Sequence, residues 1–405
     1  MREIDSGYAW FRLGVAVLLS TLGGVGMWSV VVALPAVQAE FAVARGGASL
    51  PFTLTTIGFG VGGVLMGKLS DRIGIVAPVA IGAVCLGAGY TLVALSQGLT
   101  QFALAYGALI GVGTASTFAP LMADISQWFE RRRGIAVALC ASGNYIAGAF
   151  WPQVVEFLIR TQGWRAAHLW IGAVCALAML PLSLLLRSPA PVRAANAPPA
   201  VTGLSRVSNL SPRMLQTLLV VAGVLCCLAM SMPQAHLVAY CGDLGYGAAN
   251  GARMLSLMLS FGIVSRIVSG LLADRLGGLA TLVIGSAAQM TALALYLTTD
   301  GLASLYVISA MFGLFQGGIV PSYAIIIRDN FPASETGGRV GVVMMATLMG
   351  MALGGWMSGA IFDLTGSYRA AFGNGVFWKL LNQGIAVFLL SRGPRRRTGA
   401  VPQGA

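Results

Sequence analysis

The sequence predicts an all-α membrane protein of twelve transmembrane helices, six on either side of one polar stretch. Three observations predict it: charge is scarce, apolar runs long enough to cross a bilayer recur, and one long polar segment divides them evenly. Of 405 residues, 57% are hydrophobic and 9% charged, with a mean hydropathy of +0.81. A soluble domain carries roughly 25% charged residues, so this chain lacks the charge to build a water-facing surface.

Crossing the hydrocarbon takes about 20 apolar residues. Suitable runs fall at 10–35, 49–69, 76–96, 100–124, 134–158, 166–186, 214–239, 253–273, 279–299, 302–327, 340–362 and 371–391. In lipid each backbone polar group must be satisfied within its own segment, so runs of this length are helices. The first run lacks a cleavage-like end and is followed by more spans, so it reads as a transmembrane helix rather than a leader. Residues 187–213 are rich in Pro, Ala and Arg with no apolar period, as in a flexible linker. The chain thus divides into 1–186, the linker 187–213, 214–391 and a tail 392–405.

The formal charge of +12 would suggest nucleic acid on a soluble protein. Here the basic residues sit in short loops and report topology instead. Arg2, Lys68, Arg72, Arg131–Arg133, Arg187, Arg275, Arg339 and Arg395–Arg397 fall on one side; Arg45, Arg160, Arg165, Arg253 and Arg369 fall on the other. The expected orientation has both termini and the linker in the cytoplasm, which makes the Asn209 sequon an improbable glycan site. Arg395–Arg397 reads as an anchor against anionic lipid. The excess of Arg over Lys, with abundant Ala and Gly, points to a bacterial inner membrane. The six cysteines have no metal spacing and read as small apolar helix residues, so no disulfide framework, metal or cofactor is expected. A P-loop, Rossmann fingerprint, HExxH or nucleophile elbow is missing too, which argues against an enzyme.

A local motif repeats. Gly67-Lys-Leu69-Ser-Asp71-Arg72-Ile-Gly74 follows the second run, and Gly270-Leu-Leu272-Ala-Asp274-Arg275-Leu-Gly277 follows the eighth, with five residue types in register. The glycines allow close helix approach, and the Asp–Arg pair can bridge neighbouring helix ends. One copy is an ordinary charged loop as easily as a gate; two copies at equivalent places mark a transporter built from repeats. Gly67, Asp71, Arg72, Gly270, Asp274 and Arg275 are therefore the candidate gating residues.

This pattern resembles the major facilitator superfamily, whose loops 2–3 and 8–9 carry it. The resemblance covers nearly the whole chain and implies two six-helix bundles around a central cavity, working by alternating access. A narrower resemblance is to the monocarboxylate transporter and oxalate–formate exchanger branch. It rests on Asp5-Ser-Gly7-Tyr8-Ala-Trp10, on Trp128-Phe129-Glu-Arg131-Arg132-Arg133-Gly134-Ile-Ala136 continuing to Ala141-Ser-Gly143, on Gly163-Trp164-Arg165 and on Asp363-Leu-Thr-Gly366-Ser-Tyr368.

Arg266 is the leading candidate for substrate binding. An ionisable side chain at membrane depth is costly and usually faces a cavity, and a guanidinium fork matches a carboxylate. The resemblance implies the same, since this branch carries an anion-binding Arg in its eighth helix. The competing reading pairs Arg266 with Asp274 two turns away, or lets it snorkel. Two departures from the branch stand out. Gly262 occupies the place of an Asp often found four residues before that Arg, and 340–362 contains no Lys. His236, beside Pro233, which should break or kink the helix, could bind substrate or a proton, or be a satisfied interfacial histidine. Asn144, Tyr145, Gln316 and Tyr323 are further polar candidates, with Trp28 and Phe118 as apolar wall. Lys379 reads as a snorkelling residue, and His168 as structural.

The functional expectation is a secondary transporter of a monocarboxylate or similar small organic anion, monomeric in the bilayer, with protons as coupled partner. Anion exchange, uniport, drug export and a non-transporting sensor are the alternatives.

Overall fold

The structure is a computed structural model that describes residues 4–188 and 210–392. Asn209, most of the 187–213 linker and Arg395–Arg397 lie outside the described residues. Those described are helical, with no strand among them. The first helices are α1 Gly7–Phe41, α2 Arg45–Ile73, α3 Val76–Ala94 and α4 Leu99–Trp128. A 52-residue stretch, Arg133–Leu184, is two helices, α5 (133–162) and α6 (164–184), because Gly163 between them is non-helical at φ 82° and ψ 159°. Trp151, before the break, donates to the Thr21 carbonyl, and Cys175, after it, reaches the Leu22 carbonyl. Both sides of the break thus meet α1 at one level, so the chain has doubled back. The second half holds α7 Pro212–Asp243, α8 Ala248–Leu276, α9 Gly278–Leu295, α10 Leu302–Asn330 and α11 Ala333–Thr365.

By length and apolarity, ten helical stretches among the described residues can cross a membrane. One of them is the α5–α6 pair. A further helix, α12 Tyr368–Ser391, has 24 residues, about 36 Å of helix, and is less apolar because it carries Lys379, Asn382 and Gln383. The set is consistent with twelve crossings. Leu65, Val84, Phe157 and Leu177, each more than half exposed, belong to the lipid-facing surface.

The halves repeat in three dimensions. Gly143 of α5 packs on Ser20 of α1, and Gly354 of α11 on Leu228 of α7. Gly58 of α2 meets the Gly107 carbonyl of α4, and Gly313 of α10 meets the Met258 carbonyl of α8. Gly172 of α6 faces Tyr90 of α3, and Gly375 of α12 faces Leu293 of α9. Each contact recurs six helices later. The closing glycines of the two motifs have a shared cause: Gly74 and Gly277 end α2 and α8 at φ 83° and 88°, a conformation that favours glycine.

Two seams join the bundles, and the same six-helix shift relates them. Along α2 and α11, Ser49 meets Gly359, Phe52 meets Gly355, Thr53 donates to the Ala352 carbonyl at 3.0 Å and Gly60 meets Met345. Along α5 and α8, Gly148 meets Leu259, Tyr145 meets Gly262 and Ala141 meets Arg266. Toward the face that carries the termini the seams end. Gly63 and Gly67 on α2, and Gly337 and Gly341 on α11, have open space where a side chain would be. The bundles close at the distal face and part toward the termini face.

Two expectations are corrected. α7 runs unbroken through Pro233; its fully buried surroundings hold the helix together where the proline removes a bond. Lys379 does not snorkel. It is sealed from solvent, and its Nζ lies 3.2 Å from Cys226 Sγ, because mid-helix on α12 it faces α7 rather than lipid.

Candidate functional site

Arg266 lies where the two bundles part. Descending the α5–α8 seam, the contacts step from Leu259 to Gly262 to Arg266, and one turn further Gly270 meets nothing. The guanidinium crosses from α8 to α5. Nη1 donates to the Ala141 carbonyl at 3.2 Å, and Cζ lies 4.5 Å over the Tyr145 ring. Nε is buried with no hydrogen-bond partner. No carboxylate pairs with Arg266 among the described residues; Asp274 is exposed and elsewhere. A carbonyl and a ring face satisfy part of this cation but leave its charge uncompensated, a costly state in a low-dielectric interior. The arrangement suits an anion arriving from the open side.

Neighbours explain one departure from the branch pattern. A Cβ on Gly262 would come within 2.5 Å of Tyr145 Cδ1. The missing side chain at 262 is what lets the Tyr145 ring slide under the guanidinium. Beside Tyr145, Asn144 Oδ1 is buried without a partner, and the Asn144 carbonyl accepts from Trp28 Nε1 at 3.4 Å. Gln316 lies at the same level, since its neighbour Gly317 packs on Gly262 and Ser265. It accepts from Gln234 Nε2 at 2.7 Å, leaving its own Nε2 unpaired. Arg266, Asn144 and Tyr145 therefore share the junction of the bundles, and Gln316 lies at their level within the second bundle.

His236 and Tyr323 lie elsewhere. Tyr323 is inside the second bundle, where its hydroxyl accepts from Asn382 at 2.9 Å. His236 is at the distal closure, fully buried between α2, α11 and α12. His168 is a core residue, hydrogen-bonded to Tyr106 at 2.6 Å. The motif residues Asp71, Arg72 and Asp274 are exposed, on the face where the bundles have separated.

Two constellations escaped the sequence reading. Arg12 and Asp124 form a buried, two-pronged ion pair at 2.8 Å between α1 and α4. At the distal face Arg45 joins residues 198 and more positions away: Asp243 of α7, Tyr368 of α12 and, through its backbone, Asp363 of α11. Asp363 and Tyr368 were visible as a motif, but no spacing signals that they meet Arg45. Outside the membrane, Asp300 between α9 and α10 accepts from Tyr240 and pairs with Arg369 at 2.7 Å. Those hydrogen bonds, the Tyr240 one foremost, hold its carboxyl below the usual aspartate range against the opposing effect of burial.

Comparison with known proteins agrees with this fold. The family model described as Major Facilitator Superfamily matches residues 16–312 and 281–405. Mouse monocarboxylate transporter 11 is 30% identical over 389 residues, 91% of this chain and 84% of the relative. Bovine monocarboxylate transporter 13 is 27% identical over 84% of this chain and 79% of its own. The agnestins efflux protein AgnL12 of Paecilomyces divaricatus is 26% identical over 72% of this chain and 67% of its own. Among solved structures, a bacterial homolog of the human lysosomal transporter Spinster, inward-facing and occupied, superposes with a TM-score of 0.76 at 13% identity, covering 97% of this chain and all of that one. A multi-pass helical chain with two repeated halves, matched by this family over residues 16–405, is a membrane transporter and not an enzyme: it belongs to the major facilitator superfamily.

Proposed function

We propose that this protein is a secondary active transporter of a monocarboxylate or similar small organic anion, and that Arg266 is the group that holds the carboxylate. One observation carries the reading: among the described residues Arg266 has no carboxylate partner, and it sits at the junction of the bundles, one turn from where the α5–α8 seam ends in open space at Gly270. The substrate enters from the termini face, its carboxylate takes the free edge of the guanidinium, and Tyr145 and Gln316 shape the rest of the site. Rocking of the bundles about this point exposes it to the other side. The basic residues gathered at the termini face support a cytoplasmic orientation of that face, in a bacterial inner membrane. Proton symport is the preferred coupling; without an acidic residue at 262, the proton is carried elsewhere than on an Asp–Arg pair.

The experiment is uptake by proteoliposomes of a panel of short carboxylates, with internal pH followed. Uptake with internal acidification supports symport; a strict need for internal anion favours exchange. A second reading, export, is favoured by the efflux relative and is separated by the direction of flux under an imposed proton gradient.

A further inference from the structure

The distal closure is built around one arginine and one histidine from opposite bundles. Arg45, at the start of α2, donates from Nη1 to the Tyr368 hydroxyl at 2.6 Å and from Nη2 to Asp243 at 3.1 Å. The Asp363 carboxylate accepts from the backbone N–H of Arg45 at 2.7 Å and of Gly46 at 2.6 Å. His236 lies just inside, fully buried. Its Nε2 is 2.8 Å from the Gly355 carbonyl of α11 and 3.5 Å from Ser49 Oγ of α2; its Nδ1 is 3.4 Å from the Tyr368 hydroxyl.

These partners fix the histidine's state. A carbonyl accepts only, so Nε2 carries the hydrogen. Nδ1 then offers a lone pair, and Tyr368, which accepts from Arg45, donates its hydroxyl hydrogen to it. The closed arrangement fits the neutral ring. A proton on Nδ1 would take away the acceptor of the Tyr368 hydroxyl hydrogen and place a second cation behind Arg45 with one hydroxyl between them, away from water. The groups facing His236 are Arg45 and Ser49 from α2, Asp363 and the Gly355 carbonyl from α11, Tyr368 from α12, and Asp243 and Tyr240 on its own helix; the Asp300–Arg369 pair lies beyond Tyr240. When α2 withdraws, Asp243 loses the Arg45 guanidinium and Asp363 loses the backbone N–H groups of Arg45 and Gly46, and a protonated His236, now wet, supplies a cation near both.

We propose that His236 is a proton-binding site controlling the distal gate, at which a proton on the ring takes over from the start of α2, the Arg45 guanidinium on Asp243 and the backbone N–H groups on Asp363, in compensating these carboxylates. Protonation therefore favours the state in which this face is open. The proposal rests on the alternating-access part of the function above and is independent of which anion is carried.

The test is a distance measurement without substrate. Spin labels go on Ala39 of α1 and Leu364 of α11, both exposed, in full-length protein in nanodiscs. Cys85 is replaced by Ala, since the other thiols are buried. Between about pH 7.5 and about pH 5.5 the open fraction should rise, by at most about tenfold per unit for a single proton. In His236→Gln, whose amide supplies the same donor and acceptor as the neutral ring, the gate should stay shut across the range. Tyr368→Phe should open the gate more at every pH. An unresponsive wild-type protein, or a His236→Gln variant that titrates like it, overturns the proposal. Should His236→Gln not fold, Asp243→Asn decides: a weakened acid response supports the proposal and an unchanged one refutes it. Failure of anion uptake alongside a normal titration would strike the function and leave the gate.

Discussion

Gly262→Ala is a one-atom test of the site's packing. The new Cβ would lie 2.5 Å from Tyr145 Cδ1, whereas apolar carbons settle at about 3.5–4.0 Å. The ring must retreat by about 1 Å, and overpacking of this kind costs about 1–3 kcal/mol. The ring also lies 4.5 Å beneath Arg266, a cation–π contact of about 0.5–2 kcal/mol. Taking about 2 kcal/mol in all, substrate affinity or initial uptake rate should fall about 30-fold. The structure further requires non-additivity. In a Tyr145→Ala background, already impaired, the methyl has nothing to strike and Gly262→Ala should cost almost nothing more. The assay is initial uptake by proteoliposomes for all four combinations, with thermal unfolding in parallel. Wild-type uptake in Gly262→Ala, or equal losses in both backgrounds, would refute the placement of Tyr145 against Gly262.

Three further outcomes follow from the buried charges. Asp124→Asn leaves Arg12 buried against a neutral amide and should destabilise by about 3–5 kcal/mol, read as a lower melting temperature; replacing both by apolar residues (Arg12→Met with Asp124→Leu) should recover most of it, and a thermally silent Asp124→Asn would contradict the pairing. Lys379→Met removes an ammonium whose partner is a thiol, so melting temperature should hold or rise; a fall of more than about 5 °C would mean that the lysine is structurally needed. Asp300 is held below the usual aspartate range, so its contribution is present at neutral pH and disappears as pH falls through that lowered value. Asp300→Asn should therefore flatten the acid end of the stability profile slightly, the pair being partly exposed, and leave the profile near neutrality unchanged in shape.

The helices were legible because lipid imposes one rule, about 20 apolar residues per crossing, and this chain breaks it only where function or packing intervenes. α12 is the example: Lys379 and Asn382 dilute its apolarity because they face other helices and not lipid. Arg266 was legible by the cost of charge at membrane depth, and Asn144, Tyr145 and Gln316 proved to share its level. His236 was legible as unusual, but its neighbours were not. Arg45 and Asp363 are 318 positions apart, and local patterning carries no information about which loop ends meet when two bundles close. The same limit hid the Arg12–Asp124 pair, since each residue taken alone looks like a helix-end charge. Gly262 read as a missing acid; only the Tyr145 ring explains the gap.

The most direct test is carboxylate binding and uptake in Arg266→Ala and Arg266→Lys, each reconstituted alongside wild-type protein. The account predicts that Ala abolishes anion-dependent uptake and that Lys retains little of it, because a point charge on a flexible stem does not reproduce the planar fork laid across Tyr145. Arg266→Ala should melt near or above the wild-type temperature, because removing an uncompensated cation relieves the interior, whereas Arg266→Lys keeps the charge and gains no such relief. Full carboxylate uptake by Arg266→Ala would contradict the claim that this arginine holds the substrate.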